Sequence, residues 1–283
     1  MNILITGCTG FLGSTVIDHR VQKGHHLFCL SRTPSCPHAG KSNHVQHDLS
    51  EPLDTRRLPG DVDCIIHTAA SMDKGLPNTK MFQINTVGPL ELLEYGKKTG
   101  VQRFIFLSSG AVYGYSDHVF TERSRLNPIG FYGLSKYQAE MLVTSYRPWF
   151  ASTFILRLFF PYGPGQTRGI IPRLMDSIRN KSPITIYNDG TPAINPIFVN
   201  DVVHAIERVM LSDGHHTVNL CGDEVTRIGE MSQFIGELLQ VEPLFVYEKD
   251  KAISNLVGSN RLLKRTLGVR PMTPWRQGIP AML

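Results

Sequence analysis

The chain has 283 residues, a mean hydropathy of −0.11, a formal net charge of +5 at pH 7 and a pI near 9.0. Its lysines and arginines are scattered rather than clustered, which argues against nucleic acid as a partner. No apolar run is long enough for a transmembrane helix, so a membrane partner is not expected either. The length allows one large α/β domain or a major domain with a smaller lobe.

The apolar stretch Met1–Ile17 has no basic start and is interrupted by three glycines, so it indicates a strand, a turn and a helix rather than a signal peptide. The cysteines are odd in number, widely spaced and without a C-x-x-C pair, which argues against a disulfide framework and a zinc site. They are Cys8, Cys29, Cys36, Cys64 and Cys221. The histidines lack the spacing of metal ligands, so no metal is expected. We therefore expect a cytoplasmic protein with reduced thiols.

Short apolar runs alternate with helical stretches through the first two-thirds of the chain. This pattern predicts a Rossmann-like, doubly wound parallel sheet with helices on both faces. The predicted strands are 2–6, 26–30, 45–47, 64–68, 103–108, 153–158 and 217–220, and the predicted helices lie near 11–23, 79–99, 130–146 and 201–211.

Beyond Tyr162, the Pro- and Gly-rich segments 161–165 and 188–196 interrupt this alternation and predict a smaller carboxyl-terminal lobe. We expect residues 1–163 plus 196–220 to form a dinucleotide-binding Rossmann domain. Residues 164–195 plus 221–283 would form the small substrate-binding lobe.

The first predicted strand leads into a glycine-rich turn, Gly7-Cys8-Thr9-Gly10-Phe11-Leu12-Gly13, and then into a helix. This is the context of a dinucleotide fingerprint: Gly7 permits the tight turn, Gly10 lets a pyrophosphate approach the backbone, and Gly13 lets helix and strand pack closely. The helix amino terminus would supply N–H donors. We predict cofactor binding here, with Phe11 and Leu12 in the same loop.

The second predicted strand ends at Ser31-Arg32, where NAD-binding proteins carry an acidic residue that binds the ribose hydroxyls. The planar guanidinium of Arg32 suits a 2′-phosphate instead. We therefore expect NADP to be preferred, with NAD as the alternative.

Tyr132 and Lys136 are four residues apart in a predicted helix, so they share one face. A tyrosine ionises near pH ~10, and a neighbouring ammonium favours its phenolate. The pair therefore predicts acid–base chemistry on an alcohol or carbonyl, with the pKa of Tyr132 lowered towards neutrality.

Motifs along nearly the whole chain resemble those of the extended short-chain dehydrogenase/reductases, also called the NAD-dependent epimerase/dehydratase family. In order they are Thr6–Gly13, Asp48-Leu49, His67-Thr68-Ala69-Ala70, Asn85, Ser108–Gly114, Tyr132-x-x-x-Lys136 and Tyr162-Gly163-Pro164-Gly165.

The resemblance implies a role for most of these residues. Ser109, Tyr132 and Lys136 would form the catalytic set, in which Ser109 binds the substrate oxygen. Lys136 and Tyr132 would also contact the cofactor. The further implied cofactor-binding residues are Asp48 and Leu49 at the adenine, Ala69 and Ala70 along the cofactor channel, and Asn85.

Two departures from the family pattern narrow the reaction and the substrate. Dehydratases of this family resemble one another in an Asp-Glu pair after the catalytic hydroxyl residue, where this chain has Gly110 and Ala111. Many nucleotide-sugar enzymes have an Arg-Asp pair that grips the substrate phosphates, where this chain has Ile194-Asn195, and Phe160 replaces a frequent Asn. The carboxylates expected for dehydration or decarboxylation are therefore absent at positions 110 and 111.

The sequence therefore predicts an NADPH-dependent oxidoreductase that reduces a keto group on a nucleotide-activated sugar or a related small molecule. A nucleotide-sugar epimerase with tightly held NAD(P) is the alternative, because it would use the same three catalytic residues. The loss of the arginine at Ile194 keeps a small-ketone reductase open. A non-catalytic dinucleotide sensor would not need all of Ser109, Tyr132 and Lys136. The resemblance also implies a homodimer formed by the helices near 79–99 and 130–146.

Overall fold

The computed structural model describes residues 1–21, 24–34, 40, 42–188, 190, 192–249 and 254–283. The chain divides into two compact units. The first consists of Met1–Val112, Asn127–Arg157 and Val203–Val218, and the second of Tyr113–Leu126, Leu158–Val202 and Asn219–Leu283. Residues 113–126, which the sequence placed in the Rossmann domain, thus cluster with the second unit.

Strands and helices alternate along the described residues. The strands are β1 (Asn2–Thr6), β2 (His26–Ser31), β3 (Asn43–Gln46), β4 (Cys64–His67), β5 (Arg103–Ser109), β6 (Ser152–Leu158), β7 (Pro161–Tyr162), β8 (Ile184–Tyr187), β9 (Ala193–Ile194), β10 (Ile197–Phe198), β11 (Gly214–Leu220), β12 (Thr226–Arg227) and β13 (Phe245–Glu248). The α-helices are α1 (Phe11–Val21), α2 (Asn78–Phe82), α3 (Gly88–Thr99), α4 (Gly130–Ser145), α5 (Ile170–Arg179), α6 (Val199–Met210), α7 (Ile228–Leu239), α8 (Arg261–Leu267) and α9 (Trp275–Gly278). Within the described part of the chain, no helix combines the length and apolar character needed to cross a bilayer.

A seven-stranded sheet with the order β11-β6-β5-β4-β1-β2-β3 is the largest sheet in the described residues. Strand β1 pairs in parallel with β2 and β4, and the pairs β2–β3 and β4–β5 are parallel too. Strands β2 and β3 thus lie on one side of β1, and β4, β5, β6 and β11 lie on the other. This strand order is typical of a doubly wound Rossmann-like fold. The predicted fold class is confirmed, and the predicted strands lie within a few residues of the observed ones.

The apolar runs of these strands are buried on both faces, as expected for a covered parallel sheet. Strands β4 and β6 are buried at every position. On one side, leucines and aromatic residues of β5, α3 and α4 form a continuous core that includes Phe104, Phe106, Leu92 and Val143. This core fixes α4 against the sheet.

The helix predicted near residues 79–99 is interrupted. A π-helical turn, Gln83–Val87, separates α2 from α3. Pro89 near the start of α3 has no backbone N–H, so the carbonyl four residues earlier cannot receive its α-helical hydrogen bond. The helix predicted to reach residue 23 is observed to Val21, and residues 22–23 lie outside the described ones.

The second unit has its own apolar core, which contains Tyr162, Phe198 and Trp275. The described residues of this unit also form three two-stranded sheets: β7–β10 and β8–β13 are parallel, and β9–β12 is antiparallel. Phe160 has a φ of 44°, a left-handed conformation that is strained for a bulky residue and tolerated by asparagine. The family's frequent asparagine at this position therefore matches the backbone better than the phenylalanine present here.

Cys8 and Cys29 form a disulfide, with 5.7 Å between their Cα atoms. The prediction of reduced thiols is wrong for this pair. The two residues meet because β1 and β2 are neighbours in the sheet, where Ile5 lies opposite Cys29, so 21 positions of sequence separation become a short distance. Cys64 and Cys221 are free and buried, and Cys36 lies outside the described residues.

Candidate active site

Most of the predicted site residues follow the carboxyl ends of neighbouring strands in the first unit. Gly7 follows β1, Ser31 ends β2, and Ser109 ends β5. Asp48 and Leu49 come shortly after β3, and Ala69 and Ala70 come shortly after β4. Parallel strands bring these ends to one edge of the sheet, which is where open α/β sheets bind their ligands.

The glycine-rich loop is packed as the fingerprint predicts. Gly7 has a φ of +70°, and a Cβ there would lie 2.8 Å from the backbone of Ala69. A Cβ on Gly13 would lie 2.3 Å from the carbonyl oxygen of Gly7, so the start of α1 can approach the loop only without a side chain. The Gly7 N–H donates to the carbonyl of Leu30, 3.0 Å away, which ties the loop to β2.

This loop fits the phosphates of a dinucleotide. A Cβ on Gly10 would meet only the Gly7 oxygen, at 3.2 Å, among the described residues, so its other side is open to a ligand. The first turn of α1 has no acidic residue that would repel an anion. Phe11 and Leu12 remain partly exposed in the same turn. A helix amino terminus next to a glycine-rich turn is a suitable site for pyrophosphate.

At the end of β2, Ser31 is buried and Arg32 is exposed. The Ser31 hydroxyl bonds to Thr33 Oγ1, 3.1 Å away, and to Nε2 of His44, 3.0 Å away. Arg32 receives a hydrogen bond from Gln46 on its backbone oxygen at 3.4 Å. Arg32 is thus exposed directly after β2, where the sequence predicts a contact with the adenosine ribose.

The other predicted cofactor contacts differ in exposure. Asp48 is exposed, and its Oδ1 accepts a hydrogen bond from the Ser50 N–H at 2.9 Å. Leu49 is buried in the core beside the sheet. Ala69 is half-buried and Ala70 is exposed. Asp48 and Ala70 are thus the members of this group most open to a ligand.

Asn85 lies in the π-helical turn and is fully buried. Its Oδ1 accepts from the Ser71 N–H at 2.7 Å, and its Nδ2 donates to the Ser71 oxygen at 2.9 Å and to Ser135 Oγ at 3.1 Å. Three of its four hydrogen-bonding positions are therefore used within the protein. In this arrangement Asn85 connects the loop after β4 to α4.

Ser109 and Tyr132 are brought together by a close approach of α4 to the loop after β5. A Cβ on Gly133 would lie 2.6 Å from the carbonyl oxygen of Ala111, so a glycine is needed where the helix meets the loop. Burial is the largest effect on Tyr132 and raises the pKa of its phenol, whereas the neighbouring Ser109 hydroxyl lowers it.

Lys136 is buried one turn after Tyr132, with Nζ 4.0 Å from the centre of the Phe106 ring, a cation–π contact. Burial lowers the pKa of Lys136 to about 7, and the charge of Glu140 acts in the opposite direction. We had expected Lys136 to lower the pKa of Tyr132. In the protein, the effect that opposes burial at Tyr132 comes from Ser109.

Sequence analysis did not identify the buried polar groups behind Lys136. Glu140 forms an ion pair with Arg157, with 2.7 Å between Oε2 and Nη2, and also accepts from Ser108. His67 stacks on Phe106, and burial together with the Lys136 charge lowers its pKa well below the usual range. The i, i+4 spacing of Lys136 and Glu140 was the available signal.

The departures from the family pattern are also visible. Gly110 and Ala111 begin a 3₁₀ turn directly after β5 and carry no proton donor. Ile194 is fully buried in the core of the second unit. Asn195 is buried as well, and its amide bonds to the backbones of Gly222 and Gly258. The charge of a phosphorylated substrate would therefore have to be balanced at positions other than 194 and 195.

Other charged candidates lie in the second unit. Glu122, which we did not assign to catalysis, accepts a hydrogen bond from the Asn219 N–H at 2.8 Å. Four exposed arginines are candidates for substrate phosphates: Arg168, Arg173, Arg227 and Arg261. Among the described residues, no group of three His, Cys, Asp or Glu side chains is placed to hold a metal ion.

Known proteins resemble this chain in sequence and in fold. The profile of the NAD dependent epimerase/dehydratase family matches residues 3–221. A protein of Methanocaldococcus jannaschii provisionally named UDP-glucose 4-epimerase is 28% identical over 264 residues, which cover 88% of this chain and 86% of that protein. The dTDP-D-glucose 4,6-dehydratase of Mus musculus is 29% identical over 314 residues, covering 98% and 86%. The solved structure of MoeE5 in complex with UDP-glucuronic acid and NAD has a TM-score of 0.89 and 26% identity, and covers 100% of this chain and 97% of its own.

The family profile covers the sheet, the glycine-rich loop, Ser109, Tyr132 and Lys136 in one continuous match. The structural match extends over the second unit as well. This protein belongs to the NAD dependent epimerase/dehydratase family and is an NAD(P)-dependent enzyme of the extended short-chain dehydrogenase/reductase type.

Proposed function

We propose that the protein is a nucleotide-sugar epimerase that uses a tightly held NAD. The observation that carries this proposal is the proximity of Ser109 to Tyr132, one helical turn from buried Lys136, with no carboxylate at Gly110 and Ala111. Such a site can move a proton to and from a hydroxyl. At positions 110 and 111 it offers no acid or base with which to remove water or carbon dioxide.

The residues of the chain would handle the proton while the sugar is oxidised and reduced again. Bound NAD would accept a hydride from the sugar carbon and return it to the opposite face. Tyr132 takes the proton of the sugar hydroxyl as the carbonyl forms and gives it back when the hydride returns. Ser109 donates a hydrogen bond to the same oxygen and fixes its position. In its protonated form, Lys136 would place a positive charge one helical turn from Tyr132 and favour the phenolate.

Reduction by NADPH, the first prediction from the sequence, has less support than epimerisation. The M. jannaschii relative carries an epimerase name, and MoeE5 was solved with NAD and a UDP-sugar. Epimerisation regenerates its cofactor in each turnover, so it does not depend on the reducing NADP pool. Arg32 remains the feature that favours NADP.

We also propose that the substrate is a UDP-sugar, in line with these relatives, and that the enzyme works as a homodimer. Two apolar side chains of α4 support the dimer, because Leu134 is 39% and Met141 56% exposed. Light scattering after gel filtration of the wild type and of Met141→Glu would test it. A dimer that Met141→Glu converts to a monomer supports the proposal, and a monomeric wild type contradicts it.

The function is tested by incubating the purified protein with NAD and, separately, UDP-glucose and UDP-glucuronic acid. Products are analysed by chromatography and proton NMR while the absorbance of reduced nicotinamide is recorded. Formation of the epimer without a net change in reduced nicotinamide supports the proposal. Net consumption of NADPH with a keto-sugar would show a reductase instead, and Tyr132→Phe is the control for contaminating activity.

A further inference from the structure

Glu140 is fixed by two partners from the sheet beneath α4. Arg157 of β6 places Nε 3.0 Å from Oε1 and Nη2 2.7 Å from Oε2, and Ser108 of β5 donates to Oε1 at 2.5 Å. All three residues are more than 90% buried. The carboxylate therefore has one defined position, one helical turn after Lys136 on the same helix.

Stability of the fold is a weak explanation for these charges. A buried ion pair rarely stabilises a protein more than apolar residues of the same volume would, because both charges lose their hydration. The pair lies in unit 1 beside an extensive apolar core, which could accommodate apolar side chains. A carboxylate at this position therefore calls for a second explanation.

Lys136 supplies that explanation. The proposed chemistry needs the ammonium form of Lys136. The side chain is buried, however, and burial lowers its pKa to about 7. Among the charged groups that act on it, Glu140 is the one that raises the pKa. Without this carboxylate, more of Lys136 would lose its proton at neutral pH.

The other titratable groups around α4 do not supply a comparable negative charge to Lys136. His67 on β4 is buried, with a pKa well below its usual range, and Tyr132 on α4 itself lies beside Ser109. Arg157 of β6 carries a positive charge, which opposes the effect of Glu140 on Lys136. The charged groups of α2 and α3 are engaged elsewhere: Lys80 with Glu51, Glu94 with Tyr146, Lys97 over Trp149, and Glu91 with the backbone of Leu53. Tyr95 donates to the carbonyl of Pro59, and Arg103 on β5 pairs with Asp213.

We propose that Glu140, held by Arg157 and Ser108, is a positioning residue that keeps Lys136 in its ammonium form beside Tyr132. This inference rests on the acid–base role proposed for Tyr132, but the protonation of Lys136 can be measured without any substrate. Glu140 touches neither substrate nor cofactor in this proposal. It acts through the charge on Lys136.

The test is a pH titration followed by NMR of protein labelled with carbon-13 at the lysine Cε, with the Lys136 signal assigned by its absence in Lys136→Met. The full chain is compared with Glu140→Gln, which preserves shape and removes the charge. We expect the Lys136 midpoint to fall by about one pH unit or more, a tenfold loss of ammonium above the midpoint. Glu140→Asp, which retains the charge, should restore most of the difference.

Glu140→Gln leaves Arg157 buried without its partner and could prevent folding. The double variant Glu140→Gln/Arg157→Gln removes both charges and provides the second measurement, in which a smaller fall is expected because the positive charge of Arg157 is lost as well. Arg103→Gln/Asp213→Asn, which removes a more exposed ion pair of the same unit, is the control and should leave the midpoint in place.

A folded variant without Glu140 in which Lys136 titrates as in the wild type would overturn the proposal, even if its melting temperature falls. Failure to find any epimerase activity would overturn the proposed function and leave the NMR result standing. With an active enzyme, the same variants should lose kcat at alkaline pH more steeply than the wild type, with little change in KM.

Discussion

Nδ2 of Asn85 donates a hydrogen bond to Oγ of Ser135 across 3.1 Å and so joins the π-helical turn to the helix that carries Tyr132 and Lys136. The same amide holds both backbone groups of Ser71, in the loop after β4. Three segments at the active edge of the sheet therefore depend on one side chain. Thr86, the next residue, adds a bond to the carbonyl of Ser135 at 3.1 Å.

Asn85→Ala should lower both stability and cofactor affinity. The substitution leaves the backbone groups of Ser71 without their partner, which costs about 2 kcal/mol or more in the free energy of unfolding. We expect weaker NAD binding and a lower kcat, measured by calorimetry and initial rates. Asn195→Ala is the matched control: its amide also makes three buried bonds, but in the second unit. Equal effects of both variants on NAD affinity would contradict a local role for Asn85.

Tyr132→Phe should abolish turnover and leave cofactor binding nearly intact. Loss of the acid–base hydroxyl is expected to lower kcat by about 100- to 10,000-fold. Rates from product chromatography and NAD affinity from calorimetry would measure the two effects separately. Tyr137→Phe alters a half-buried tyrosine of the same helix and should remain active. An active Tyr132→Phe enzyme would remove this residue from the mechanism.

Lys136→Met should stabilise the protein while inactivating it. Because burial lowers the Lys136 pKa from 10.5 to about 7, the unfolded chain binds a proton that the folded chain releases between these pH values. The penalty for burying this charge is therefore full below pH 7 and disappears as the pH rises to 10.5. At about 1.4 kcal/mol per pH unit, the penalty is on the order of a few kcal/mol.

Urea unfolding of wild type and Lys136→Met at several pH values checks this prediction. The variant should be the more stable at pH 7, and the difference should shrink towards alkaline pH. Lys98→Met, on the exposed surface of α3, is the control and should show neither effect. A pH-independent difference would mean that Lys136 has an ordinary pKa in the folded protein.

Arg32→Asp should shift cofactor preference from NADP towards NAD. A carboxylate at this position accepts hydrogen bonds from the ribose hydroxyls and repels a 2′-phosphate, so we expect the ratio of the two affinities to change by about tenfold or more. Calorimetric titration with both cofactors measures the ratio. Arg57→Asp makes the same change of charge at another exposed arginine. If both variants give the wild-type ratio, Arg32 is a surface residue without a role in selection.

Much of the first unit could be predicted from its sequence because its signals are local. The apolar runs gave β1, β2 and β5, and the glycine spacing gave a loop whose close contacts leave no room for side chains at Gly7 and Gly13. The motif residues Ser109 and Tyr132 are brought into contact by the sheet order, which the strand pattern implies.

What the sequence did not predict depends on pairs that are distant along the chain. Arg157 reaches Glu140 from another element, and neither residue differs in sequence from an ordinary surface charge. The protonation of Lys136 depends on how much protein surrounds it, a quantity that helical spacing alone cannot give. The π-helical turn at Gln83–Val87 was not predicted either, because the apolar residues around it follow the pattern of an uninterrupted helix.

The disulfide between Cys8 and Cys29 has a consequence for the unfolded chain. A bond between residues 21 positions apart closes a loop and removes many of its open conformations, a loss of chain entropy worth about 3 kcal/mol of stability. This contribution comes from the unfolded ensemble rather than from contacts in the folded state. The segment between the phosphate loop and β2 therefore has fewer unfolded conformations available to it. Its stability is higher than its packing in the folded protein alone would indicate.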